Sequence, residues 1–154
     1  MGKSKRKYLL ASALLPGSTL RPAVEEGMGA CLARDRGLIA VGERVRIGDS
    51  LDLDGALRAA FPNANRWDYI FSVSDAGKLV GLEPHRARDS EVSVVIAKKR
   101  HAAEQMRTHL QERHRVSEWL WVSHGRTSFS RMERASKSLA QAGIRYIGRL
   151  HTLG

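Results

Sequence analysis

Asp68 and Glu83, with His85 beside them, are the residues whose types and spacing in this 154-residue chain suit chemistry. They flank Ser74-Asp75-Ala76-Gly77, a turn signal between two runs that read as strands, Trp67 to Val73 and Lys78 to His85. An antiparallel hairpin about that turn sets Asp68, near the start of the first strand, alongside Glu83, near the end of the second. Two carboxylates held close offer oxygen ligands to a hard divalent cation such as Mg²⁺, which keeps its remaining positions for water and substrate phosphates. His85 follows Glu83 by two residues, so a pleated strand points both to one face. The same residues also allow a plainer reading, in which Asp68 pairs with Arg66 and Glu83 with Arg86 or Arg88.

A long helix opening at Asp89 or Ser90 must stand behind this hairpin. Val92, Val95, Ile96, Ala102, Ala103, Met106 and Leu110 form its apolar stripe, while Lys98, Lys99, Arg100, Arg107 and Arg113 lie mostly off it. Earlier in the chain, Pro22 followed by Ala-Val-Glu-Glu predicts a helix running to about Arg34. Residues Leu38 to Ile47 suggest two short strands around a turn, and Ser50 to Phe61 an amphipathic helix capped by Ser50 or Asp52 and stopped by Pro62. After the long helix come a strand at Glu118 to Ser123, a helix at Arg131 to Ala142 with Gly143 as its stop, and a strand at Ile144 to Leu150. The order implies one α/β domain over 21–154, with a mixed central sheet and helices on both faces. Residues 1–20 read as a basic arm, Lys3 to Lys7, leading into a short apolar segment rather than a cleaved leader.

The balance of 26 Lys+Arg against 16 Asp+Glu gives a net charge of +10, an attractive field for a polyanion such as DNA or RNA. Arg86, Arg88, Lys99 and Arg100 are the expected phosphate contacts. An acidic partner protein would answer the same charge, and a homodimer is a further expectation. The single cysteine, Cys31, rules out an internal disulfide and a cysteine-based zinc site and suits a reducing cytoplasm. No apolar run approaches the roughly 18 residues a membrane-spanning helix needs. His101, His109 and His114 read as solvated, because no carboxylate or cysteine completes a zinc set around them. Trp119 and Trp121 alternate on one strand and read as core. No phosphate-binding glycine pattern is present, and His124 with Ser123 and Ser128 lacks a nucleophile-elbow sequence.

A helix, an aspartate on one strand, Glu-x-Lys on the next, then a helix and another strand is the order of the PD-(D/E)xK nuclease superfamily, the restriction-endonuclease-like fold. Residues Ser50 to Leu150 resemble it through Trp67-Asp68-Tyr69 and Leu82-Glu83-Pro84-His85. The resemblance implies that Asp68 and Glu83 bind Mg²⁺ or Mn²⁺ and that phosphodiester bonds of a nucleic acid are hydrolysed. It also implies a lysine that orients the attacking water. His85 stands where that lysine would be, and an imidazole lacks its permanent charge. In some members of the superfamily the lysine sits on the following helix, which makes Lys98 or Lys99 the replacement. The departure leaves a second expectation open, a module of the same fold that binds nucleic acid or docks onto a partner without cutting.

Overall fold

A computed structural model describes residues 8–39, 45–73, 77–85, 88–122 and 132–147. Its frame is a mixed sheet of six strands in the order β1 to β6: Glu25–Glu26, Ile47–Asp52, Tyr69–Val73, Lys78–Pro84, Val116–Val122 and Ile144–Ile147. The first four pair antiparallel, and β4, β5 and β6 run parallel. Parallel neighbours need long crossovers, supplied here by helices α4 (Val92–His109) and α5 (Met132–Gln141). Three short helices complete the chain order: α1 (Leu9–Ala13), α2 (Ala33–Arg36) and α3 (Leu53–Leu57). No described helix is long and apolar enough to cross a membrane.

The two faces of the sheet are covered differently. On one, Leu51, Ile70, Leu79, Trp119, Trp121 and Ile144 meet buried side chains from α1, α3, α4 and α5. On the other, Phe71, Val80, Leu82, Leu120 and Val122 are closed by the segment carrying Met28, Cys31 and Ile39, with α2 burying no side chain of its own. Helices on both faces were the expectation. The structure places every core-forming helix on one face, because both parallel crossovers progress in the same direction along the sheet and so return over the same side.

The hairpin forms as its sequence predicts. Tyr69 pairs with Leu82 and Val73 with Lys78, and Gly77 closes the turn at φ +63°, a left-handed backbone that glycine takes without strain. Gly81 lets β4 pass beneath two indoles, since a Cβ there would stand 2.8 Å from Trp119 Cζ3 and 3.0 Å from Trp67 Nε1. Those two rings meet edge to face at 5.2 Å, a favoured aromatic geometry.

One expectation fails and another holds in part. In place of a helix over 22–34 there is one 3-10 turn at Arg21–Ala23, then β1, then Gly27 at φ +57°, which no helix accommodates. The next helix follows the Asp52 alternative and runs Leu53–Leu57, short of Phe61, because Ser50, Leu51 and Asp52 belong to β2 and bond to β3. Asp52 is the cap, its carboxylate accepting from Gly55 N at 2.9 Å. Of the two strands expected over 38–47, residues 40–44 lie outside those described, and the strand starts at Ile47. Ser123, His124 and Ser128 and the end of the last strand also lie outside them. The short apolar segment is seated in the core, with Leu10, Ala13 and Leu14 all buried.

Candidate active site

Asp68 lies one residue before β3 and Glu83 near the end of β4. Continuing the Tyr69–Leu82 register by one step sets them opposite each other. Asp68 is fixed through its main chain on both sides. Its N–H donates to Glu83 Oε1 at 3.0 Å, and its carbonyl accepts from Leu53 N at 2.9 Å and Asp54 N at 3.3 Å, at the start of α3. Arg66, the expected partner of Asp68, instead pairs with Asp54 at 2.8 Å and with the Phe61 carbonyl at 2.7 Å. The acid side chain is therefore held in place without being neutralised by the neighbouring guanidinium.

Glu83 points to the helix-covered face and is wholly buried, at 0% exposure. Burying a charge requires partners, and α4 provides the main one. Lys98 Nζ donates to Glu83 Oε2 at 2.7 Å, and His85 Nε2 stands 3.4 Å from the same oxygen. Neither Arg88 nor any other described arginine pairs with Glu83, and Arg86 lies outside the described residues. Burial works against the Glu83 charge, but the His85 contact and the Lys98 ammonium outweigh it, so the carboxyl titrates below its usual range. Lys98 also loses by burial and gains more from Glu83, which lifts it above the usual lysine range. Asp68 goes the other way: burial and the adjacent Glu83 charge push its carboxyl up to about 8, against the opposing pull of Lys98.

His85 is held from β5. Trp121 Nε1 donates to the His85 carbonyl at 3.0 Å, and the two rings sit 5.0 Å apart. Trp121 is buried in the core, as its alternation with Trp119 predicts. Its indole N–H adds a polar task that alternation does not reveal. The proposed phosphate contacts separate. Arg88 and Arg100 are exposed, whereas Lys99 is half-buried, its Nζ 3.4 Å from where a Cβ on Gly143 would lie, at the C-terminal end of α5. There its charge opposes the carbonyl end of that helix. The histidines expected in solvent are half-buried: His101 packs edge-on to Phe61 at 5.0 Å, and His109 Nδ1 meets Ser18 Oγ at 2.8 Å.

No cluster of three or more His, Cys, Asp and Glu side chains forms a metal cage among the described residues. Asp68 and Glu83 oppose each other on adjacent strands, where burial first and the Glu83 charge second raise the Asp68 carboxyl. Mg²⁺ is bound through one or two carboxylates, retaining water and phosphate oxygens for the rest of its octahedron. Comparison with protein-family models, with curated proteins and with solved structures gives no match.

Proposed function

We propose that the protein is a divalent-metal-dependent nuclease with a restriction-endonuclease-like core, in which Asp68, Glu83 and Lys98 form the site. The observation that carries this reading is the 2.7 Å contact from Lys98 Nζ to Glu83 Oε2, beside Asp68. A lysine from the following helix takes the position that His85 vacates on the strand. The fold supports it too: Asp68 before β3, Glu83 on β4, then α4 and parallel β5, is the order that the resemblance implies.

Asp68 and Glu83 would hold Mg²⁺ or Mn²⁺, and such an ion supplies a bound water of lowered pKa and charge for the phosphate. Lys98 keeps Glu83 ionised in a buried setting and presents a permanent cation beside it. His85, whose carbonyl is held by Trp121, sets its imidazole Nε2 3.4 Å from Glu83 Oε2, a side-chain type suited to taking or returning a proton. Arg88 and Arg100, both exposed, grip phosphates on either side. The test is cleavage of a mixed DNA and RNA panel with Mg²⁺ or Mn²⁺. Wild type cuts, and Glu83→Gln and Asp68→Asn do not while still binding. Equal cutting by wild type and Glu83→Gln points to a contaminant and ends the proposal.

One observation favours a second reading, a binding module without catalysis. Both Glu83 oxygens are engaged inside the protein, by Asp68 N and by Lys98. In that case binding persists in EDTA, falls steeply with salt and weakens on charge reversal at Arg88 and Arg100.

A further inference from the structure

A cleft among the described residues lies away from the acids, at the other end of the sheet. It encloses about 460 Å³ between the C-terminal half of α4, the start of β5 and Leu15, a size suited to a small-molecule ligand. Its floor is apolar, formed by Met106, Val116 and Trp119, and Leu15, 40% exposed, supplies one wall. Arg107 and Arg115 line the same cleft, and among the described residues neither is ion-paired. Glu112 is the lone acid there.

The walls are fixed before any ligand arrives. Gln111 N donates to the Ala13 carbonyl at 2.9 Å, and its side-chain amide donates to the Ser12 carbonyl at 2.8 Å. Leu15 N donates to the His109 carbonyl at 2.8 Å, and Ser18 closes on His109. A pre-formed apolar floor beside two uncommitted guanidiniums suits a flat, weakly polar group joined to a phosphate. Guanidinium forks bind phosphate oxygens in pairs, and aromatic or thioether surfaces take the face or edge of a base.

We propose that this cleft is a nucleotide site: the base lies against Met106, Val116 and Trp119, and the phosphate between Arg107 and Arg115. Lys98 and Arg107 are nine residues apart on one helix, about 13 Å along its axis, so the cleft is separate from the acids. The proposal holds whether or not Asp68 and Glu83 cut nucleic acid. The ligand has two sources, a free mononucleotide or the end of a strand.

The experiment is calorimetric titration of the full chain with AMP, adenosine, inorganic phosphate, octyl phosphate and a 5′-phosphorylated trinucleotide. AMP binds at least roughly tenfold more tightly than adenosine or phosphate alone. Arg107→Ala combined with Arg115→Ala removes at least tenfold of that affinity, with circular dichroism unchanged, because both side chains are exposed. Leu15→Glu, on another exposed side chain, gives a comparable loss if the double variant folds poorly. Glu83→Gln binds AMP as wild type does, which keeps the outcome independent of the acid site. A trinucleotide that binds more tightly than AMP assigns the cleft to a strand end, and the reverse assigns it to free nucleotide. Absence of AMP binding, AMP binding unaffected by these variants, or octyl phosphate binding as tightly as AMP, overturns the proposal.

Discussion

Glu83 and Asp49 are both carboxylates at 0% exposure, on strands of the same sheet and facing the same helix-covered side, yet they are satisfied in opposite ways. Asp49 accepts from Leu10 N at 3.0 Å and Ala11 N at 2.9 Å, and from the Ser72 hydroxyl. Its partners are main-chain N–H groups and a neutral hydroxyl, so it acts as a cap for α1 delivered from β2. Burial prevails over those bonds and raises its carboxyl above the usual range. Glu83 is met by a lysine and a histidine with a second acid alongside, and it is held ionised. A buried carboxylate surrounded by backbone donors secures a fold, whereas one surrounded by titratable side chains is equipped to exchange charge with something else.

Lys98→Ala tests this contrast most severely. It leaves Glu83 buried without its main counter-charge, which costs ~3–5 kcal/mol, and it lowers cleavage by roughly 10²–10⁴-fold. Denaturant melts and rate measurements read the two effects separately. Adding Glu83→Gln to Lys98→Ala restores most of the stability and none of the cleavage. Asp49→Ala comes next: losing the acceptor for the buried Leu10 N–H and the part-buried Ala11 N–H costs ~1–3 kcal/mol, while the cleavage rate stays within twofold. A loss of cleavage from Asp49→Ala equal to that from Lys98→Ala, at a temperature where both variants are folded, breaks the comparison.

Asp68→Asn carries a distinctive pH signature in stability, read apart from its loss of cleavage. The Asp68 carboxyl titrates near 8 when folded against an ordinary 3.8, so the folded state holds its proton more tightly. The stability this contributes is complete below pH 3.8 and is lost as pH rises to about 8. Asp68→Asn escapes that loss. Its melting temperature exceeds that of wild type at pH 8, at about 2–4 °C for each kcal/mol, and the gap closes as pH falls toward 4. Saturating MgCl₂ narrows the gap at pH 8 by stabilising wild type alone, a reading that needs no substrate. A gap that ignores Mg²⁺ removes the ion from between the two acids.

Much of this arrangement was legible in the residues. Turn chemistry at Ser74–Gly77 and the β-branched and aromatic runs on either side were enough to set Asp68 against Glu83, and helical spacing placed Lys98 on the following helix. What spacing could not say is that Lys98, lying off the apolar stripe, turns back onto Glu83. That depends on how α4 crosses the sheet. The strand at 47–52 was hidden because Asp49, a polar residue, occupies a core position in its alternation, leaving Leu53, Leu57, Ala60 and Phe61 to suggest a helix. Near Pro22 the helix-start signals were genuine, but they were spent on a single 3-10 turn before Gly27 redirected the chain. Those errors share a cause: local preference was overruled by pairing with a strand distant in sequence.

The short strand β1 has a consequence for the behaviour of the protein in solution. An open sheet edge is a template on which another chain can add a strand and so begin an aggregate. Here that edge ends in a strand of only two residues, Glu25 and Glu26, both exposed and both acidic. It is too brief to guide a long pairing and carries a charge at each step, so a second sheet arriving edge-on meets repulsion and few hydrogen bonds. On a chain with ten excess positive charges, two of its sixteen acids are placed where they guard against fibrils.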